Sequence, residues 1–390
     1  MKRAMKPDLT FSVDGNDMAL YASGEARKSL VLDWIDGANN SLDLLFYDLA
    51  DDASGTAIRD ALAEAAGRGV RVRLVIDGFG LRDLEDEDAF FAPLRAAGGM
   101  ALVFNARFGR RYLIRNHQKI FIADGAQAII GGANLCDDYL GDHDTAWRDL
   151  WLGIEGEAVR GLSDYYEDVL GWMQTKKAHL RSLSDVVARH STTRGPLQWQ
   201  FSAPWPRHTP WPGGMIRDLW DGTRVDLVMA YFSPSSAFLR RLERVARDGG
   251  EVRLLVPAKS DNTTTIAAAR HSYHELMQAG VEIHEYEKTK MHTKLAVVDD
   301  VVHIGSSNFD FRSLFVNMEV MLRIEDADTA EKMRGWIETE RADARAITPE
   351  LQAKRDTLWA RTKWALSNFL VTWLDYTVSR RLNLPLGGDE

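Results

Sequence analysis

Three residue types recur at one spacing: His117, Lys119 and Asp124, then His292, Lys294 and Asp299. In each set a Lys stands two residues after a His and an Asp five residues after the Lys. A Gly and an Asn follow at nearly matched distances, in NHQKIFIADGAQAIIGGAN and MHTKLAVVDDVVHIGSSN. A neutral imidazole attacks an electrophile or carries a proton, and a neighbouring ammonium neutralises charge building on an oxyanion. Chemistry at phosphorus needs both. Chance matches to the His-Lys-Asp spacing in a chain of this composition number on the order of a few hundredths, so two extended copies mark a duplicated catalytic pattern.

The elements that position these side chains are legible around them. KIFIAD and KLAVVD read as short buried strands, in which side chains two apart share a face, so each His projects beside its Lys. Asp124 and Asp299 lie an odd number of residues further, in turns, and read as organisers of local backbone. Gly131-Gly132 and Gly305-Ser306 read as room for close backbone approach to an anion, with Asn134 and Asn308 as amide donors. Upstream, SLDLLFYDL, GTAIRDALAEAAGRG and VRVRLVIDG form a strand, an amphipathic helix and a strand, followed by an acidic helical segment and MALVFN. RVDLVMAYF, SSAFLRRLERVARDGG and EVRLLVPAKSD repeat that order, and a helix over 264–279 and VEIHEYE lead into the second motif. The fold class is therefore α/β, with similar halves over 1–195 and 196–350 and a tail over 351–390.

The paired segments resemble the HKD motifs of the phospholipase D superfamily. Past them, WRD at Trp147 to Asp149, preceded by GGANLCDDYLGD, and FDFRSLFVNME at Phe309 to Glu319 resemble the bacterial cardiolipin synthases, in particular shorter members without N-terminal transmembrane helices. The resemblance spans about Leu42 to Leu322. It implies two α/β/α sandwich halves related by a pseudo-twofold axis, with His117 and His292 meeting in one cleft. One imidazole attacks the phosphodiester and the other protonates the leaving alcohol, then deprotonates the acceptor. His117 is assigned as nucleophile and His292 as acid/base, roles that the symmetry of the pattern leaves interchangeable. Lys119, Lys294, Asn134 and Asn308 surround the non-bridging oxygens. A carboxylate following each motif fixes each ring's tautomer, which points to Asp149 for His117 and Glu319 for His292.

The resemblance further implies phosphatidyl transfer from phosphatidylglycerol to a second phospholipid headgroup, with hydrolytic phospholipase D action as the alternative. A superfamily nuclease is disfavoured by the net charge of -9, because nucleic-acid binding needs clustered Lys and Arg. Intact His and Lys in both copies argue against a non-catalytic lipid-binding scaffold. No cofactor or metal is expected, since the lysines supply the positive charge. The lone Cys136 excludes an internal disulfide and fits a reducing compartment.

The N-terminal segment lacks the apolar core of a signal peptide, and no apolar run is long enough to span a bilayer. The expected location is cytoplasmic, peripheral at the inner face of the cell membrane. Arg107, Arg110, Arg111 and Arg115, just before the first motif, read either as headgroup ligands or as a solvated loop. Trp199, Trp205 and Trp211, among prolines that forbid a regular helix, read as an acyl groove or as a seam between halves. In the tail, Leu366, Phe369, Leu370, Trp373 and Leu374 form a helical stripe with basic borders. That pattern suits either a membrane interface or packing on the protein body.

Overall fold

The computed structural model describes residues 5–104, 114–175, 178–204 and 210–373. It holds two eight-stranded sheets with helices between and after the strands. The strands of the first are β1 (Leu9–Val13), β2 (Asn16–Tyr21), β3 (Ser41–Phe46), β4 (Arg71–Asp77), β5 (Met100–Phe104), β6 (Ile120–Ala123), β7 (Gln127–Gly131) and β8 (Trp151–Glu155). They lie in the order β1-β2-β8-β7-β6-β3-β4-β5. The second comprises β9 (Leu197–Ser202), β10 (Arg224–Met229), β11 (Glu251–Pro257), β12 (Glu282–Tyr286), β13 (Lys294–Val298), β14 (Val301–Gly305), β15 (Glu319–Glu325) and β16 (Ala344–Ala346).

The chain forms two compact units. One is Met1–Pro210 with Ile304–Ser307 and Val316–Ile324; the other is Trp211–His303 with Asn308–Phe315 and Glu325–Glu390. In the first unit β3, β4 and β5 are parallel and β6 pairs antiparallel with β3. In the second, β10, β11 and β12 are parallel and β13 pairs antiparallel with β10. β3 is buried at nearly every position, as parallel strands covered on both faces must be. The helix Ala53–Gly67 between β3 and β4 starts at Asp52, whose carboxylate accepts from Gly55 N at 2.8 Å, and the chain turns out of it at Gly69 with φ +95°.

A buried charge in each first strand shows how closely the halves repeat. Asp43 on β3 faces Arg73 on β4, with Arg73 Nε donating at 2.6 Å, and the guanidinium also donates to Glu167 at 2.5 and 2.9 Å. At the same register Asp226 on β10 faces Arg253 on β11, with Arg253 Nε donating at 2.5 Å and Nη1 donating to Glu338 at 2.6 Å. Both pairs lock a parallel strand pair to the helix packed on it, Ala158–Gln174 and Ala327–Arg341 respectively. Asp226 has a second partner in Arg334, whose Nε donates at 3.0 Å, so the buried carboxylate is held from both the strand and the helix.

Several local expectations give way to packing. The segment that follows the helix Ala158–Gln174 forms a helix of its own, Leu180–His190, that buries Leu183, Val186 and Val187. The proline-rich stretch does enter a helix, Pro210–Asp221, because Pro210 and Pro212 occupy its first turn, where the missing N–H has no intrahelical partner to lose. Trp199 and Trp211 are buried, each inside its own unit. Trp199 Nε1 donates to Ala158 O at 2.9 Å, and Trp211 packs 5.1 Å from His303 and 5.9 Å from Phe309, centroid to centroid. Trp205 lies outside the described residues, as do Arg107, Arg110 and Arg111. The helix expected over 264–279 is two, Thr263–His271 and Tyr273–Ala279, divided at Ser272.

Candidate active site

Each motif sits at the entry to the strand that pairs antiparallel with the first strand of its unit's parallel core. β6 begins at Ile120 and β13 at Lys294, so His117, Lys119 and His292 lie in the extended residues just before. The pairing of His and Lys survives because each lysine folds back on its own histidine's backbone. Lys119 Nζ donates to His117 O at 2.7 Å, and Lys294 Nζ donates to His292 O. Both lysines are buried and each motif carries an aromatic neighbour. The His117 ring meets Tyr47 edge-on at 5.3 Å, with Lys119 Nζ 5.4 Å from the same ring, and the His292 ring meets Tyr231 edge-on at 6.1 Å. The two tyrosines lie just past the ends of β3 and β10 and carried no signal of their own in the sequence.

The aspartates of the motifs face away from this chemistry. Asp124, at φ 52°, accepts from the backbone N–H groups of Asn39 at 2.9 Å, Asn40 at 2.7 Å and Ser41 at 2.8 Å, which ties the turn after β6 to the start of β3. Asp299, at φ 46°, accepts from Arg224 N at 2.8 Å and Thr223 N at 3.1 Å, tying the turn after β13 to the start of β10. Positive φ is tolerated by Asp more readily than by most residues, and these carboxylates satisfy donors at strand ends.

The carboxylate partner of His117 is not the one that sequence order suggests. His117 Nδ1 lies 3.1 Å from both Oε1 and Oε2 of Glu319, a fully buried side chain. Glu319 follows the second motif, yet it belongs to the first compact unit, where a parallel bridge joins Asn116 to Met318. His117 N donates to Met318 O at 3.0 Å and Met318 N to Arg115 O at 2.8 Å. Gln118 extends this zipper: its amide donates to Tyr165 Oη at 2.7 Å and to Glu319 O at 3.2 Å. Ser306 Oγ donates to Glu319 Oε2 at 2.5 Å and Asn317 Nδ2 to Oε1 at 3.3 Å, so the carboxylate is held from three sides. A proton on Nδ1 directed at Glu319 leaves the lone pair on Nε2, the tautomer that a nucleophile needs.

Asp149 occupies the equivalent place in the first half. Gly132 N donates to Leu150 O at 3.2 Å as Ser306 N donates to Val320 O at 2.9 Å, so Asp149 and Glu319 precede matched residues despite their unequal distances from the motifs. Asp149 is fully buried; one oxygen accepts from Leu150 N at 2.7 Å, and its carbonyl accepts from Arg27 Nη1 at 2.5 Å.

The glycines expected to admit an anion make room for the protein instead. A Cβ on Gly132 would stand 2.5 Å from Asp149 Oδ1, and Cβ atoms on Gly131 and Gly305 would stand 2.1 Å from Leu150 O and Val320 O. Asn134 and Asn308 are buried just beyond. Among the described residues no group of three or more His, Cys, Asp or Glu is arranged to hold a metal ion. Cys136 is buried, and burial pushes its thiol well above the ordinary range, which makes it inert as a nucleophile.

A further carboxylate under the first motif was missed. Asp77, the last residue of β4, accepts from Asn116 N at 2.7 Å and Phe79 N at 2.8 Å, next to His117 in the chain. Burial pushes its carboxyl up to about 7, against the two N–H groups and the nearby Arg115 and Lys119, which favour the anion. The matched position of β11 is Pro257, so the repeat gave no reason to single Asp77 out. With a folded value near 7 and an ordinary value of 3.8, native Asp77 keeps a proton that the unfolded chain releases. Its contribution is fully present below the ordinary value and is lost as pH rises through about 7, at most about 4 kcal/mol. Urea unfolding across that range is expected to show this slope in the wild type and a flatter one in Asp77→Asn; equal slopes would remove Asp77 as the source.

The family described as cardiolipin synthase, PLD-like domain, matches residues 31–146 and 221–341, covering both motifs. The chain belongs to this family. The major cardiolipin synthase ClsA of Bacillus subtilis (strain 168) is 30% identical over 370 residues, 92% of this chain and 75% of that protein. Cardiolipin synthase 2 of Bacillus anthracis is 32% identical over 325 residues, 80% of this chain and 62% of that protein. In fold, the phosphatidylserine synthase of Haemophilus influenzae Rd KW20 is similar with a TM-score of 0.71 at 12% identity, covering 97% of this chain and 96% of that one. The cardiolipin synthase family and the phospholipase D-like fold agree with the resemblance read from the motifs and their flanks.

Proposed function

We propose that this chain is a phosphatidyltransferase of the cardiolipin synthase type, acting on phosphatidylglycerol through a phosphohistidine. The observation that carries the reading is the imidazole of His117, oriented by Glu319 and backed by a lysine, within a chain that repeats the same His and Lys. In the first step His117 Nε2 forms a bond to phosphorus as the bond from phosphorus to the glycerol oxygen breaks, and His292 gives that oxygen its proton. In the second, the headgroup hydroxyl of another phospholipid gives its proton to His292 and its oxygen displaces the imidazole. Lys119, Lys294, Asn134 and Asn308 are assigned to the charge on the non-bridging oxygens in both steps.

The scheme requires both imidazoles at one phosphorus. Among the described residues no helix is long and apolar enough to cross a membrane. The substrate nevertheless resides in one, so association with the inner face of the cell membrane belongs to the same proposal.

Purified protein incubated with phosphatidylglycerol vesicles is expected to yield free glycerol and a lipid carrying two phosphatidyl groups, read by mass spectrometry. Phosphatidic acid as the sole lipid product would replace the transferase with a hydrolase.

A further inference from the structure

The helix Leu358–Trp373 has two opposed apolar faces, and among the described residues one is buried and the other exposed. At 100° per residue, Trp364, Ser367 and Val371 share one stripe, and these are buried where the helix packs along Thr263–His271 and Phe311–Phe315. Ser233 Oγ, bonded to Asn368 at 2.6 Å, anchors the same side. The opposite stripe runs through Leu358, Trp359, Thr362, Leu366 and Phe369. Leu358 is 83% exposed, Trp359 73%, Leu366 47% and Phe369 55%. Phe311, on the short helix that packs against this one, is exposed as well. Side chains of this size are costly to leave in water together, and a contiguous group of them marks a contact surface.

Charge identifies the contact. In a chain of net charge -9, the stretch Leu358–Trp373 contains Arg361 and Lys363 and no Asp or Glu, and the preceding helix, Pro349–Arg355, ends on Lys354 and Arg355. Arg361 leans on Asp356 at 2.6 Å and Arg355 on Glu285 at 3.0 Å. On the helix, Arg361 and Lys363 lie on opposite flanks of the exposed apolar stripe. An apolar, aromatic ridge between cations matches the boundary between acyl chains and anionic headgroups: the ridge enters the hydrocarbon edge and the cations remain at phosphate level.

We infer that the outer face of Leu358–Trp373 is the surface by which this protein docks on an anionic bilayer. The inference rests on the proposed action on a membrane lipid and adds the face that brings the enzyme to it. One face of the helix holds it to the second compact unit while the other enters the membrane, so docking requires no unfolding.

The test uses the full chain, vesicles of phosphatidylcholine with and without phosphatidylglycerol, and the variant Trp359→Ser with Phe369→Ser. Both replaced side chains are exposed, so the melting temperature is expected to hold. Wild type is expected to sediment with the phosphatidylglycerol vesicles and the variant to bind them at least about tenfold more weakly. Lys363→Glu is expected to weaken binding in a salt-dependent way. Turnover of phosphatidylglycerol dispersed in detergent is expected to be the same in variants and wild type. Unchanged vesicle binding in the double variant would overturn the inference, as would a shift from dimer to monomer that leaves vesicle binding intact, because the face would then meet a second copy. Wild-type protein that binds vesicles yet turns over no lipid in detergent would defeat the functional reading instead.

Discussion

His117→Ala is expected to lower phosphatidylglycerol turnover by at least about 10⁴-fold while leaving the far-ultraviolet dichroism and melting temperature close to wild type. The reaction as proposed has no path around the bond between imidazole and phosphorus, and removing the ring leaves a small space at a part-exposed position. His292→Ala is expected to cost a similar factor for a different reason, loss of the proton that the leaving alcohol needs. The two can be told apart with a substrate whose leaving group needs no proton. With such a lipid, His292→Ala is expected to accumulate an acid-labile phosphoprotein, and His117→Ala to accumulate none. Accumulation in His117→Ala instead would reverse the roles of the two histidines. Substantial turnover of phosphatidylglycerol by either variant would remove the two-histidine scheme.

Glu319→Gln is expected to reduce kcat by about 10²- to 10⁴-fold with KM little changed. Gln preserves the length of the side chain and still accepts from Ser306 or Asn317, so the pocket stays filled. What it lacks is the negative charge that steadies a positively charged imidazole 3.1 Å away, and its amide can present N–H to Nδ1 and favour the wrong tautomer. A purely structural role would show as lost stability with a normal profile of kcat against pH. A positioning and charge-compensating role moves the acid limb of that profile to lower pH, because the ring loses its counter-charge. Ser306→Ala is a graded control: it removes one of the donors to Glu319 and is expected to cost about tenfold or less.

The crossing of Glu319 separates what each motif of this chain supplies from what it receives. Each half supplies a His and a Lys two residues apart, a short-range relation that the chain fixes by itself. The carboxylate comes from the other motif's flank, through the bridge at Asn116 and Met318. A change at Glu319 is therefore read out at His117, and not at the histidine that precedes it in the chain.

The tail shows the same division between local and long-range information. The stripe of Leu366 and Phe369 was visible as a helical pattern, but its complement, Trp364, Ser367 and Val371, was not, because a Ser in a buried stripe carries no hydropathy signal. Leu374 lies outside the described residues, as do the side chains of Leu370 and Trp373.

By itself the sequence determined the chemistry and the repeat: the spacing of His117 to Lys119 and of His292 to Lys294, the α/β class, and the turns at Asp124 and Asp299. All of these depend on residues within a few positions of one another, where strand and turn geometry leave little freedom. Only the tertiary structure decided that Glu319 meets His117, that Asp77 lies under the first motif, that Gly132 is small for the sake of Asp149, and which face of the last helix is exposed among the described residues. Those relations are made by strands and helices tens to hundreds of residues apart, and their register is set by backbone hydrogen bonds and burial that no local pattern records.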